Sequence, residues 1–310
     1  MERLLASTEP AIRHLTRRDL LGEAGLDATT VLDGPIVYGL YAGQRADGGF
    51  GEQPYKKWTG AHWRLVSLVE LGIPPGEPRA LAAAETVLAW LTGGGRLDRL
   101  APPVNGLHRR HASIDGNAVA VCCRLGLARD PRVRDLAAAI VSWQWPDGGW
   151  NCTAKPTAHR SSFHETLATT WGLTEYAQAT GDRAAAAAVA RAAELFLDHR
   201  LFRTLATGEP IKSQFTDLHY PPYWHYDVLQ ALLVLGRAGK AHDRRTADAV
   251  AVIRGRQRPD GSWRANRRWW KPPGSATGTP EAIDWGPVAD DMATLNALRA
   301  LRAAGASTPT

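Results

Sequence analysis

The chain has 310 residues, 44% of them hydrophobic and 22% charged, the balance of a globular protein able to bury a large core. The net charge of +6 is spread in scattered residues with short pairs at Arg109-Arg110 and Arg267-Arg268. That excludes a nucleic-acid-binding stripe and leaves a weak pull on small anions. Three cysteines, Cys122, Cys123 and Cys152, exclude a disulfide framework, and no apolar run reaches the length of a membrane span. The opening residues mix charged with apolar types, unlike a signal peptide, so a cytoplasmic protein is expected.

In chain order, Ser7-Thr8-Glu9-Pro10 reads as a helix start. Residues 1–33 are expected to form an N-terminal helical extension packed on a main domain over 34–310. From there two kinds of helix alternate. "GAHWRLVSLVELG", "SIDGNAVAVCCRLG", "HETLATTWGLTEYAQATG", "HYDVLQALLVLGRAG" and "DDMATLNALRALRAAG" are the more apolar set and end near glycine. Between them, "RALAAAETVLAWL", "DPRVRDLAAAIVSWQ", "RAAAAAVARAAELFLDHRLF" and "RRTADAVAVIRGRQ" carry one apolar stripe, with Asp130 a predicted N-cap and Pro131 the first helical residue. β-branched runs of period two are scarce, so the chain reads as all-α. Stripes on both helix sets close such hairpins into a double-layered ring.

Three loops repeat a motif: "QRADGGF" from Gln44, "QWPDGGW" from Gln144 and "QRPDGSW" from Gln257. They lie roughly a hundred residues apart, too far for one hairpin per repeat, so alternate hairpins carry the motif. The segments resemble the QW motif of squalene–hopene and oxidosqualene cyclases, whose α/α toroids are shared with protein-prenyltransferase β-subunits. The likeness runs over about residues 34–305, with Phe50 replacing the aromatic Trp in the first copy. It implies a single α/α toroid of about five to six helical hairpins. It also implies that Gln44, Gln144, Gln257, Trp150 and Trp263 are structural, each glutamine capping a neighbouring helix end.

A helical ring has a central funnel, and inner-helix N-termini point to one mouth. Candidate catalytic residues there are Asp115, Glu165, Asp227, Asp290 and Asp291, although each Asp also reads as a helix cap. Candidate substrate-binding residues are His62, Trp63, Asn117, His164, Trp224, His225, Tyr226, Trp270 and Trp285, with Trp58 beside the first two and Arg109, Arg110, His111, His159, Arg160, His219, Tyr220, Tyr223 and Trp269 in the preceding loops. Twelve Trp against 7 Tyr and 5 Phe suit an aromatic-lined pocket for a carbocation or a sugar. The loops at 207–227 and 266–286 read as lids or pocket walls.

The family's alkene-protonating D-x-D-D is absent, as are D-D-x-x-D and the prenyltransferase zinc pattern, where Ala293 stands in place of a cysteine. No metal or other cofactor is therefore expected, a divalent ion on His62, His164 and His225 being the minority alternative. The resemblance implies a terpene-cyclase-like enzyme using acid-initiated chemistry on a hydrophobic isoprenoid, with no integral membrane association. Two alternatives stand: a non-catalytic toroid binding a small molecule or protein, and a hydrolase or lyase of a sugar-like substrate.

Overall fold

The computed structural model describes residues 1–96, 101–266, 268 and 270–306. Its α-helices are α1 (Glu2–Leu5), α2 (Pro10–Thr16), α3 (Pro35–Tyr41), α4 (Ala61–Glu70), α5 (Pro78–Thr92), α6 (Ala112–Arg124), α7 (Pro131–Ser142), α8 (Phe163–Thr180), α9 (Arg183–Asp198), α10 (Val228–Arg237), α11 (Ala247–Gly255) and α12 (Val288–Ala303). Among the described residues β-structure is confined to isolated bridges. Sequence punctuation sets several helix starts: Asp130 accepts from the Arg132 N–H ahead of Pro131, and Asp182 and Asp227 cap α9 and α10.

Burial separates the layers. In α4 every residue from Ala61 to Val69 is buried, whereas α9 buries one stripe that includes Ala188, Ala192 and Phe196. The inner helices α4, α6, α8, α10 and α12 touch in succession, and α5, α7, α9 and α11 pack behind them. Residues 1–33 join the two ends of this succession. α2 packs on α12, Leu15 reaches Gly72 just past α4, and a Glu9 carboxylate oxygen accepts the Ile36 N–H at 3.1 Å. The product is an all-α, double-layered helical ring. With α2 as the sixth inner member, α4 and α10 stand on opposite sides of the bore.

The closest helix crossing lies between α6 and α8. A Cβ on Gly116 would sit 2.6 Å from the Thr169 Cα, and one on Gly172 would sit 2.2 Å from the Gly116 carbonyl oxygen. Only glycine lets the two backbones approach this far.

The three repeated loops share one construction. Gln44, Gln144 and Gln257 donate through Nε2 to the carbonyls of Gly48, Gly148 and Gly261, closing their own turns. Gln44 and Gln144 also donate to Arg79 and Ala188, and accept from the Arg79 and Arg191 guanidinium groups. Arg79 lies in the first turn of α5 and Ala188 in the second turn of α9, so Gln44 meets the next outer helix at its end and Gln144 tethers it by its side. Trp150 and Trp263 donate from Nε1 to Ile140 and Ile253, locking each loop to the helix before it.

Candidate functional site

The two ends of the bore are closed differently. At the C-terminal ends of the inner helices Glu70 meets Arg237 across the ring at 2.8 Å, Glu175 pairs with Arg124, and Asp19 pairs with Arg299. Burial raises the Glu70 carboxyl, but Arg237, Arg124 and Arg299 outweigh it and hold the group below its usual range. The Trp171 ring lies against both Arg124 and Arg237.

At the N-terminal mouth, loops from opposite sides meet in an aromatic lid. Trp58, before α4, stacks on Tyr223, before α10, with centroids 4.3 Å apart and planes 7° from parallel. Trp63 and Trp270 complete the buried cluster edge-on. Tyr223 has φ +48°, a left-handed conformation that a non-glycine residue holds only when its surroundings impose it. His225 stacks on Trp224 at the rim, and His164 accepts the Tyr226 N–H at 2.9 Å. Burial depresses both imidazoles, His225 to about 3 and His164 to about 4, with His219 and Lys212 respectively the next largest causes.

Under this lid lies Glu281, from the 266–286 loop, 2% exposed. The Tyr223 hydroxyl is 3.2 Å from Oε1, and the Arg268 guanidinium donates to Oε2. Burial pushes the carboxyl up to about 7, with Arg268 opposing. On the far side of Trp270 an open pocket of about 250 Å³ is lined by Tyr220, Arg264, Arg268, Trp270, Trp285 and Asp290 among others. Larger depressions, about 450 Å³ beside α2, about 580 Å³ between Asp198 and Asp248 and about 510 Å³ beside α11, are lined by other residues.

The structure gathers Trp63, His164, Trp224, His225, Trp270, Trp285 and Asp290 around the lid and its pocket and holds the other candidates by other partners. Both Asp115 oxygens accept from Arg96, at 2.8 and 3.2 Å; burial raises this carboxyl and Arg96 opposes. Asp291 is buried and accepts from Ser7 and Arg3, whereas Asp290 accepts the Ala265 N–H, so the adjacent acids serve different partners. Asp227 caps α10 and meets the His219 ring at 2.8 Å. His62 lines a cavity of about 10 Å³ between α4, α5 and α6, space for about one water, and burial depresses it to about 3. Tyr226 packs on Phe163, Phe196 and Phe215. Asn117 is buried with its Nδ2 unpartnered. Trp269 lies outside the described residues.

Sequence reading passed over Glu281 and Cys152. Among the described residues, the group whose side chains come close enough to share a metal ion is His111, Cys152 and Glu165, with donor atoms within 4.8 Å of one another. The trio His62, His164 and His225 does not form such a group.

No protein-family model matches the chain, and no curated protein matches it. Among solved structures it is similar to a protein from Actinoplanes, at 20% identity and a TM-score of 0.42 over 86% of this chain and 81% of that one. It is also similar to the type II terpene cyclase MstE from Scytonema. A variant of that enzyme with merosterolic acid A aligns at 12% identity and a TM-score of 0.32, over 96% of this chain and 99% of that one. Another with geranylgeranyl dihydroxybenzoate aligns at 14% and 0.29, with the same coverages. No helix among the described residues is long and apolar enough to cross a membrane.

Proposed function

We propose that the protein is a terpene-cyclase-like enzyme that opens an epoxide-bearing isoprenoid by proton transfer from Glu281. The observation that carries this reading is a buried carboxyl raised to about 7 that meets Tyr223, a member of a cluster of four large aromatic side chains. Near neutral pH such a group still carries its proton, the condition for a general acid. A pKa in this range favours an epoxide oxygen as acceptor over the far less basic carbon of an isolated alkene. The Tyr223 hydroxyl and the Arg268 guanidinium both donate to Glu281, hydrogen bonds that strengthen once the carboxyl is ionised.

In the proposed reaction the proton moves from Glu281 to the epoxide oxygen and a C–O bond breaks, its electron pair staying on oxygen. The tertiary carbocation left behind is attacked by the π pair of the next alkene, closing a ring. Loss of a proton from the carbon beside the final cation, back to the Glu281 carboxylate, regenerates the acid. The net change is isomerisation. Trp58, Trp270 and Tyr223 supply aromatic faces for the cation, and Arg264 and Arg268 suit an anionic head group in the adjoining pocket. Arg268 stands between that pocket and Glu281, so the 266–286 loop must shift to admit a chain.

The test is product analysis with epoxidised linear prenyl diphosphates, comparing wild type with Glu281→Gln. A cyclic product lost in the variant supports the reading, and turnover unchanged by it ends the reading. Closure of the bore at both ends favours a second reading, a ring that binds without catalysis. Saturable binding of the same compounds with no product would favour that one.

A further inference from the structure

We infer that His111, Cys152 and Glu165 form a zinc site with three protein ligands and one open position. The three residues come from separate elements: His111 precedes α6, Cys152 follows the second repeated loop, and Glu165 lies in the first turn of α8. His111 Nδ1 stands 3.4 Å from Glu165 Oε1, and all three donor atoms fall within 4.8 Å of one another. Zinc bonds of about 2.0–2.3 Å in a tetrahedron set ligand-to-ligand spacings of about 3.3–3.8 Å, so small side-chain adjustments bring the donors onto one ion.

The backbone around the trio is fixed before any ion arrives. The Arg110 N–H donates to the Asn151 carbonyl at 3.1 Å, holding the residue before His111 against the residue before Cys152. Trp150 is buried and pinned to Ile140, and Asn151 Nδ2 donates to the Arg160 carbonyl. Glu165 Oε2 accepts the Ser113 N–H at 2.9 Å, which turns Oε1 toward His111 and Cys152. Such supporting contacts orient metal ligands.

One sulfur, one imidazole nitrogen and one carboxylate oxygen form a donor set for zinc and not for magnesium or calcium. The His111 side chain is 66% exposed, so an ion there is reachable from solvent and its fourth position is open to water or to a small ligand. The assignment is independent of Glu281 and of any turnover.

The test uses the full chain, stripped with a chelator and titrated with zinc by calorimetry, then with cobalt(II) followed by absorption. One ion per chain is expected, with a thiolate-to-cobalt charge-transfer band that Cys152→Ser abolishes. Loss of an outer-shell partner alone weakens metal sites about 10–100-fold, so His111→Asn, Glu165→Gln and Cys152→Ser should each weaken zinc by more than about 100-fold. Zinc should also slow alkylation of Cys152 by iodoacetamide while leaving Cys123 unaffected. Melting of the stripped variants checks their folding, and Cys152, only partly buried, tolerates serine. Absence of stoichiometric zinc, a cobalt complex without the thiolate band, or equal affinity in Cys152→Ser would overturn the assignment.

Discussion

Trp58 and Tyr223 stack at 4.3 Å across the mouth of the ring, joining the loops before α4 and α10, two helices that face each other over the bore. At the other end Glu70 and Arg237 join the same two helices. The lid and the ionic floor thus clamp one diameter of the toroid. Replacing Tyr223 by Ala should remove the stack and the hydroxyl facing Glu281 together, lowering stability by about 3 kcal/mol as aromatic truncations do. Urea unfolding measures that loss. Tyr223→Phe should keep most of the stability and change the pH profile of turnover, because only the hydroxyl is gone.

The α6–α8 crossing predicts an intolerance that composition does not reveal. Gly116→Ala or Gly172→Ala places a Cβ within 2.6 Å of backbone atoms of the facing helix, where no flexible side chain can yield. Each should destabilise by about 2 kcal/mol or more through overpacking. The loss appears as a lower thermal midpoint, and an unchanged midpoint would contradict the crossing described.

Buried neutral histidines predict acid sensitivity. His62 and His225 are depressed to about 3 and His164 to about 4, each chiefly by burial. In the unfolded chain these imidazoles bind protons near pH 6.5, so protonation favours unfolding as pH falls from there toward 4. Stability should therefore drop between pH 6.5 and 4, and His62→Leu should flatten part of that slope. Glu281 acts with the opposite sign. Its folded pKa is above the unfolded value, so its contribution is full below about pH 4.5 and is lost as pH rises through about 7. Glu281→Gln should gain relative stability at pH 8 over pH 5, read from unfolding midpoints at both values.

Asp115 offers a contrast between holding the fold and transferring a proton. Its two oxygens are taken by Arg96, the carboxyl buried and the guanidinium partly exposed. Asp115→Asn should cost about 2 kcal/mol, the size of a lost charge-assisted hydrogen bond, because the Arg96 left behind can reach water. Any turnover per folded molecule should survive. Activity measured against folded fraction separates the two effects.

Much of the ring was legible because its signals are local. The alternation of more and less apolar helices, the Asp130-Pro131 start and the three glutamine loops each lie within a short stretch. Facing directions were harder. His62 and Trp63 are neighbours on α4, yet one turns to the outer layer and the other joins the lid, and only packing decides which. Glu281 was invisible for another reason: in the sequence it is an ordinary loop carboxylate, and its burial appears only when the chain brings it against Tyr223 and Arg268. Cys152 gains His111 and Glu165 as neighbours only through the contact between two loops, at Arg110 and Asn151.

The proposed role of Glu281 as the acid is tested by the pH dependence of product formation in three proteins. Wild type, Glu281→Gln and Asp115→Asn would be given the same epoxidised prenyl diphosphates and their products identified by mass spectrometry. A cyclic isomer is expected from wild type, falling off above about pH 7. The same product per folded molecule is expected from Asp115→Asn, and none from Glu281→Gln. Equal product from Glu281→Gln, or loss confined to Asp115→Asn, would contradict that role.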